Sequence, residues 1–184
     1  KELIALAKAR PGQIVYASTG VGSNAHFSTE LFKQMTGTNM LHVPYKGGGP
    51  ALIEVASGEA QLLLSSLIQA LPHTRANRLR AMGTSGAKRS PILPEVPTLI
   101  EGGVAGYETY NWWGTAVARG TPRPIIERLN SEINVILKSP EMEKRLRAEA
   151  ADPVIKSPEE LGKYVADEMA KWQKLAKIAG IKGE

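Results

Sequence analysis

The amino-acid sequence predicts an α/β fold in which short parallel strands alternate with helices. Through the first two-thirds of the 184 residues, short apolar runs are each followed by an amphipathic helical pattern. Strand–helix–strand units at this spacing are typical of right-handed crossovers within one parallel sheet. The last third is rich in helical patterns and has little strand for them to cover. A further layer of structure, absent from this sequence, is therefore expected beside the C-terminal helices.

Four strands are predicted in the first part of the chain, and helices connect them. The strands are "QIVYAS" (13–18), "MLHVPY" (40–45), "AQLLLS" (60–65) and "RLRAMGTS" (78–85). The helices are predicted over residues 23–35, from about Pro50 to Ser57, and up to about His73. Pro50 suits the first turn of a helix, and Gly58 suits its end. The opening "ELIALAKARPG" has the pattern of the end of a helix, so we expect the chain to be a processed or truncated piece.

From residue 86 onward the pattern changes to loop and long helices. Residues 86–106 are rich in proline and glycine, so we expect a loop with one short helix at 98–101. The later elements are a strand at 107–118, a helix after "TPRP" (121–124), a helix capped by Ser139, a strand at 153–156 and a helix capped by Ser157. Serine followed by proline is a common helix start, because it caps the first turn and presets its backbone.

Composition excludes several classes of function. The chain has no cysteine, which excludes disulfides, thiol nucleophiles and cysteine-based metal sites. No run approaches the roughly 20 apolar residues that cross a membrane, and no signal peptide is visible in the sequence given. The net charge of +5 is spread along the chain and only 5% of residues are aromatic, so no nucleic-acid partner is expected. His26, His42 and His73 are dispersed in the sequence, and no metal site is predicted.

The segment "STGVGSNA" (18–25) is the first candidate functional motif, because it follows a predicted strand and opens a predicted helix. Within it, "GVGSNA" has the G-x-G-x-x-A spacing of dinucleotide-binding turns. Such turns need an acidic residue about 20 positions later, and "LHVPYK" (41–46) has none. The hydroxyls of Ser18, Thr19 and Ser23, beside unpaired helix N–H groups, suit a smaller carboxylate. A plain strand-to-helix turn capped by Ser23 is a third interpretation.

Polar residues also follow the neighbouring predicted strands. Lys46 lies in "YKGGGPA" after the second strand, and Ser65 and Ser66 end the third. Ligands of open α/β sheets bind at the carboxyl ends of the strands, so these residues are candidates for the same cleft. Roles in a loop and as helix caps account for them as well.

A catalytic interpretation rests on Ser18 and His26, with Glu30 one helical turn beyond His26. Ser18 does not lie on a G-x-S-x-G elbow, and a histidine in a first helical turn commonly caps or packs. We therefore expect no enzyme, no catalytic residue and no cofactor. The alternative that stays open is a nucleotide-dependent enzyme using the GVGSNA turn, and His26 stays a further candidate for ligand contact.

Taken together, these stretches resemble the substrate-binding proteins of tripartite tricarboxylate transporters, the Bug or TctC-like family. The resemblance covers nearly the whole chain in order. It is carried by "YASTGVGSNAHFSTELF", "HVPYKGGGPAL", "ALPH", "LRAMGTSGAKRSPILPEVPTLIEGGVAGYE", "WWGTAVARGTP" and "KWQKLAKIAGIK". One departure is "VARGTP" (117–122), where members commonly carry a proline before the Ala-Gly equivalent; it bears on the stiffness of that turn.

The resemblance implies a two-domain architecture like that of type II periplasmic binding proteins, which close on a small carboxylated ligand. Residues 1–112 would form the second, ligand-binding lobe, nearly complete. Residues 113–184 would form a hinge-crossing strand and C-terminal helices that return to a first lobe only partly represented. The ligand turn would comprise Ser18, Thr19, Gly20, Gly22 and Ser23, with Ser65 and Ser66 at a strand end where members vary.

The resemblance also implies what the protein does and where. The expected function is reversible capture of a mono-, di- or tricarboxylate in the periplasm and its delivery to the membrane components of a tripartite tricarboxylate transporter. With the first lobe incomplete, residues 119–184 are expected to dock on something else, for which a second copy of the chain is the first candidate.

Overall fold

The chain forms two compact units in the computed structural model, which describes residues 1–149 and 151–181. The first unit comprises residues 1–111 with 174–181, and the second comprises residues 112–173. The functional division expected at residue 112 stays a prediction. Residues 182–184 lie outside the described part of the chain.

The first unit is built on a small parallel sheet with helices between its strands. Its elements are α1 (Glu2–Ala9), β1 (Val15–Ser18), α2 (Asn24–Thr36), β2 (Leu41–Pro44), α3 (Gly48–Ser57), β3 (Leu62–Leu63) and α4 (Leu67–Arg75). The strand order is β2-β1-β3, and both neighbours of β1 run parallel to it. This confirms the predicted α/β class, the first three strands and the helices that connect them.

Local sequence determines where these helices begin and end. Ser23 caps α2, because its side chain accepts a hydrogen bond from the His26 N–H at 3.3 Å. At the other end, Gly37 adopts a left-handed conformation with φ of 62°. Gly58 ends α3 in the same way, with φ of 90°. Both glycines occupy the backbone region that other residues avoid at helix ends.

Successive residues of β1 enter apolar clusters on the two faces of the sheet. Tyr16 belongs to the larger cluster, whose buried members are Ala7, Ile14, Tyr16, Phe32, Met40, Val104 and Tyr107. Ala17 belongs to a smaller cluster with Ala51 and Ala60. Since successive side chains of a strand point to opposite faces, helices must cover both sides of this sheet.

Tyr107 joins the end of the first unit to α2. It is fully buried, and its ring meets that of Phe32 edge to face with centroids 6.2 Å apart. Its hydroxyl donates to the backbone carbonyl of Ser28 at 2.8 Å. Burial raises the pKa of Tyr107 to about 12, so the hydroxyl keeps its proton across the physiological range.

The predicted fourth strand at 78–85 is wrong. Thr84 forms an isolated parallel bridge with Thr98, in which the Thr84 N–H donates to Pro97 and the Leu99 N–H donates to Thr84, each at 2.9 Å. The next hydrogen bond of a parallel ladder would have to come from the N–H of residue 97. Proline has none, so the pairing stops after one bridge.

The predicted short helix at 98–101 is also wrong, because the segment forms a turn. The Gly102 N–H donates to the Thr98 carbonyl at 2.9 Å, and the Gly103 N–H donates to that of Ile100 at 2.9 Å. Gly103 then takes a φ of 101°, which does not continue a helix.

The strands predicted at 107–118 and 153–156 are wrong as well. In the first, Thr109 exchanges hydrogen bonds with Ser85, its N–H donating to the Ser85 carbonyl at 3.1 Å and its carbonyl accepting from the Ser85 hydroxyl at 2.7 Å. Trp113, later in the segment, is 69% exposed. In the second, the backbone carbonyl of Lys156 accepts a hydrogen bond from the Asn130 side-chain amide at 2.9 Å. Neither segment has a strand beside it among the described residues, and a strand exists only through its pairing.

The second unit is helical, as predicted. It contains α5 (Arg123–Leu137), α6 (Pro140–Ala148) and α7 (Pro158–Ala179), although the last residues of α7 are grouped with the first unit. Ser139 caps α6 by accepting from the Met142 N–H at 3.3 Å. Ser157 and Glu160 exchange backbone and side-chain hydrogen bonds at the start of α7, which is a capping box.

The apolar residues of α5 and α6 remain accessible to solvent. No described residue of either helix is buried, and Ile125, Leu129 and Ile136 of α5 are 50%, 42% and 50% exposed. The amphipathic pattern therefore produces helices, as expected, without a described layer that covers them. Across residues 1–149 and 151–181, no helix combines the length and apolar character needed to cross a membrane.

Candidate functional site

The carboxyl ends of three parallel strands meet at one edge of the sheet. β1 is central, and its last residue, Ser18, lies opposite Pro44 of β2, while β3 pairs with its other side. The segments 19–23, 45–47 and 64–66 therefore leave the sheet side by side. Open α/β sheets bind their ligands at this edge, and the sequence-predicted site residues lie on these segments or beside them.

The β1–α2 loop (residues 19–23) owes its path to two glycines. Gly20 has φ of 135°, and a Cβ placed there would lie 3.7 Å from the Tyr45 carbonyl oxygen. Gly22 has φ of 74°. Any other residue would be strained at either position, so the loop can turn tightly into α2 and keep its N–H groups close together.

Ser18 supports this loop from inside the protein. It is fully buried. Its hydroxyl donates to the Gly20 carbonyl at 3.0 Å, accepts from the Gly20 N–H at 3.2 Å, and lies 2.7 Å from His42 Nε2. A serine hydroxyl has one proton and two lone pairs. These three contacts therefore use its full hydrogen-bonding capacity, with His42 as the donor to the second lone pair.

Other residues of the β1–α2 loop and the start of α2 leave hydrogen-bond donors available at the surface. Thr19 and Ser23 are half-buried, and the Ser23 hydroxyl accepts a cap bond while keeping its own proton to donate. The N–H groups of Val21, Asn24 and Ala25 have no hydrogen-bond partner among the described residues. Two of these belong to the first turn of α2, where the helix dipole favours an anion.

The neighbouring strand ends add further polar groups. The buried Ser65 Oγ has no hydrogen-bond partner within the described part of the chain. Ser66 stands at the N-cap of α4 without making a side-chain cap bond. Lys46 is exposed at the end of β2. Sequence reasoning missed Gln69, whose side chain lies so close to Gly48 that a Cβ on Gly48 would overlap with it.

Three aromatic rings, unpredicted from the sequence, form a stack beneath the loop. The His42 ring stacks on Tyr16 with centroids 4.8 Å apart and on His26 with centroids 3.9 Å apart. His26 Nδ1 accepts a hydrogen bond from the Gly22 N–H at 3.1 Å. The three histidines looked unrelated along the chain, but the pairing of β1 with β2 places His42 beside Tyr16, and the His42 ring also meets that of His26 on α2. In the sequence, this contact was indicated only by the position of His42 on the predicted strand 40–45.

The three residues of the stack have shifted pKa values. Burial, and then the neighbouring His26, lower the pKa of His42 from 6.5 to about 4. Burial likewise lowers the pKa of His26, against the opposite effect of Glu30. Burial and a 2.5 Å hydrogen bond to Glu30 raise the pKa of Tyr16. Both imidazoles are therefore neutral at pH 7.

The chemistry of the arrangement suits an anion better than acid–base catalysis. Ser18 contacts His42, while His26 Nδ1 accepts a hydrogen bond from the Gly22 N–H. The nucleophile–base pair of Ser18 and His26 that the catalytic interpretation requires is therefore not formed. Among residues 1–149 and 151–181, no three histidine, cysteine, aspartate or glutamate side chains are grouped to hold a metal ion. What the edge offers are hydroxyls, amide N–H groups and a lysine. These are the groups that satisfy a carboxylate.

Known proteins share this fold and sequence over nearly the whole chain. Protein BugT of Bordetella pertussis is 36% identical over 180 residues, which are 98% of this chain and 55% of that protein. An R. palustris protein solved with adipate is 40% identical, with a TM-score of 0.89, over 98% of this chain and 60% of that one. Periplasmic binding protein BugD is 27% identical, with a TM-score of 0.85, over 100% and 62%. MatC from Rhodopseudomonas palustris, solved with malate, is 27% identical, with a TM-score of 0.81, over 95% and 60%.

These neighbours define the class of protein, since the α/β fold of this chain is that of periplasmic binding proteins. The model of the tripartite tricarboxylate transporter family receptor, TctC, matches residues 1–181. The chain therefore belongs to the TctC family. It spans about half the length of the curated relatives it matches and about 60% of the solved ones.

Proposed function

We propose that this chain forms the ligand-binding part of a periplasmic receptor that captures a small organic acid and delivers it to a tripartite tricarboxylate transporter. The observation that carries the proposal is the carboxyl edge of the sheet. There the β1–α2 loop and the start of α2 present unpaired N–H groups beside the hydroxyls of Thr19 and Ser23. A carboxylate accepts several such hydrogen bonds and is also favoured by the positive end of the helix dipole.

The ligand in this proposal carries at least one carboxylate and a second polar end. Thr19, Gly20, Gly22 and Ser23 would surround the first carboxylate, with Ser18 holding the loop from below. Ser65 gives a buried hydroxyl with no partner among the described residues, which a ligand oxygen would satisfy. Ser66 and Lys46 are further contacts. Structural neighbours solved with adipate and malate support a dicarboxylate as the first ligand to test.

The same proposal assigns roles to the two parts of the sequence. Residues 1–112 would be the ligand-binding lobe, and residues 113–184 would carry the crossing to the other lobe. Capture and release would follow from closure of two lobes, as in other binding proteins, with no covalent chemistry. The membrane components of the transporter are the partners that this family membership suggests.

A nucleotide-dependent enzyme is the competing function, because the G-x-G-x-x-A spacing also suits a phosphate. β2 ends at Pro44, followed by Tyr45 and Lys46. An acidic residue to hold a ribose is therefore absent from the end of this strand. The observations favour the carboxylate receptor.

Calorimetric titration of the chain with mono-, di- and tricarboxylates tests the proposal. We expect saturable binding of at least one dicarboxylate, and Thr19→Val should weaken it about tenfold, since one hydrogen bond to a charged group contributes about 1.5 kcal/mol. Thr36→Val is the matched control, because it removes a hydroxyl at the opposite end of α2 and should leave the affinity unchanged. Binding of NADH with no binding of any carboxylate would overturn the receptor proposal.

The exposed apolar face of α5 supports the expected association of two copies. Ile125, Leu129 and Ile136 lie on it, and such a face is normally covered by another layer. We expect light scattering to give the mass of a dimer that dissociates on dilution, and Leu129→Glu should shift the equilibrium to monomer. The exposed control Val154→Glu, outside the helices, should not. A wild-type mass equal to that of one chain at all concentrations would contradict self-association.

A further inference from the structure

We propose that His26 and His42 are positioning residues, which keep the β1–α2 loop in its ligand-binding shape only while both imidazoles are neutral, so that acid weakens carboxylate binding. The effect on affinity rests on the proposed receptor function. The effect on the loop does not, and it can be measured without ligand. Neither histidine has to touch the ligand, since each acts through a loop residue.

His26 holds the loop through its unprotonated Nδ1. This atom accepts the Gly22 N–H at 3.1 Å. A neutral imidazole has one nitrogen that can accept and one that donates. Here the acceptor must be Nδ1, and Nε2 carries the proton. A second proton would go to Nδ1 and would place an N–H against the Gly22 N–H. The bond would then be lost, and Gly22 would have to turn away.

His42 holds the same loop from the strand side. Its Nε2 lies 2.7 Å from Ser18 Oγ, whose own proton goes to the Gly20 carbonyl. His42 Nε2 is therefore the donor to Ser18, and His42 Nδ1 takes no part in this contact. Protonation of His42 would keep the bond to Ser18. It would, however, put a positive charge in a ring whose centroid is 3.9 Å from that of His26.

The charged and titratable groups around the pair come from β1 and α2. Tyr16 of β1 stacks on His42. Among the described residues, Glu30 of α2 is the acidic group acting on both imidazoles, and it already accepts from Tyr16 at 2.5 Å and from Lys33 at 2.6 Å. Lys33 opposes a positive charge on either ring. An added proton thus meets one carboxylate that is already paired, one lysine and the other imidazole.

The pKa shifts of the two imidazoles agree with a geometry that disfavours their charged forms. Burial lowers the pKa of both histidines, and that of His42 falls to about 4. Protonation of either ring is therefore unfavourable, because it disturbs the His26–Gly22 hydrogen bond or places a charge beside the other ring. The consequence is a loop whose Gly22 N–H is held by His26 at neutral pH and is released in acid, because a proton on either ring acts against the His26–Gly22 contact.

Nuclear magnetic resonance of the ligand-free chain tests the loop directly. Imidazole and amide resonances are followed from about pH 7.5 to about pH 4, the range in which histidines titrate. We expect the Gly22 amide resonance to move together with the titration of His26. In His26→Phe, which keeps a ring but has no acceptor, that movement should vanish. A Gly22 amide that follows the same curve in wild type and in His26→Phe would overturn the proposal.

Titration with adipate provides the second measurement. The affinity of wild type should fall as the pH is lowered from about 7.5 to about 4, and by at least about twofold more than that of His26→Phe, because only wild type has the His26 imidazole to protonate. His26→Phe should bind more weakly than wild type at neutral pH and lose the excess pH dependence. Because the ligand is the same, its own protonation cancels in the ratio of the two proteins.

Controls separate a positioning role from a merely structural one. His73→Phe changes an imidazole of α4, outside the stack, and should leave both pH profiles as in wild type. His26→Gln offers a neutral acceptor in case the phenylalanine variant does not fold, and it should regain neutral-pH affinity without the pH dependence. If adipate fails to bind wild type, the receptor function is in question, while the Gly22 resonance still decides the positioning role. Equal pH dependence of adipate binding in wild type and His26→Gln would refute it.

Discussion

Replacing Tyr107 by alanine is expected to lower the free energy of unfolding by about 3–5 kcal/mol, the range typical of large-to-small changes at buried aromatic residues. Tyr107 is fully buried, contacts Phe32 edge to face, and donates to the Ser28 carbonyl. Alanine would leave a cavity in the larger apolar cluster and a buried carbonyl without its donor. Urea unfolding followed by circular dichroism measures the change.

Two further variants show which part of Tyr107 matters. Tyr107→Phe keeps the ring and loses only the hydrogen bond to Ser28, so it should cost about 1 kcal/mol. Ile53→Ala removes a large apolar side chain that is 62% exposed on α3, and it should stay within about 0.5 kcal/mol of wild type. A loss from Tyr107→Ala no larger than that from Ile53→Ala would show that the larger cluster does not stabilise the first unit.

Acid is expected to destabilise the chain through His42 by about 2–3 kcal/mol between neutral pH and pH 4, since one pKa unit corresponds to about 1.4 kcal/mol. The pKa of His42 is about 4 in the folded chain, against an ordinary value of 6.5. Between these values the unfolded chain binds more protons. The stability associated with the neutral ring is therefore complete above pH 6.5 and decreases as the pH falls toward 4.

Unfolding free energies of wild type and His42→Gln, measured across this range, isolate the contribution from that of the carboxylates. Wild type should be more stable at neutral pH, and the two curves should approach each other in acid. A constant difference at all pH values would show that His42 does not titrate abnormally in the folded chain.

The sequence predicted those elements whose causes are local. Ser23, Ser139 and Ser157 cap helices where expected, and Gly58 ends α3. Each depends on groups a few residues apart. The strands predicted at 78–85 and 107–118 failed because a strand needs a partner distant in sequence. Pro97 blocks the first from pairing further, and no described strand lies beside the second.

For the site, too, the sequence predicted the local features and missed those that depend on distant residues. The β1–α2 loop could be found from its glycines and hydroxyls, which are contiguous. The contribution of His42 could not, because it depends on the register that places it beside Tyr16 across two strands. Ser18 illustrates the same limit, since its residue type suggests a ligand contact and only the fold shows that its three hydrogen-bonding positions face inward.

The composition of the larger cluster has a consequence for biosynthesis. Its members run from Ala7 to Val104 and Tyr107, so the core combines the beginning and the end of the first unit. Contacts of such long sequence separation form slowly, because the intervening chain must be closed into a loop first. A nascent chain that has not yet extended past Tyr107 would leave Phe32 and Met40 without part of their cover. Until residues 104–107 have been synthesised, these two side chains lack part of their cover, and exposed apolar surface of this kind favours aggregation during folding.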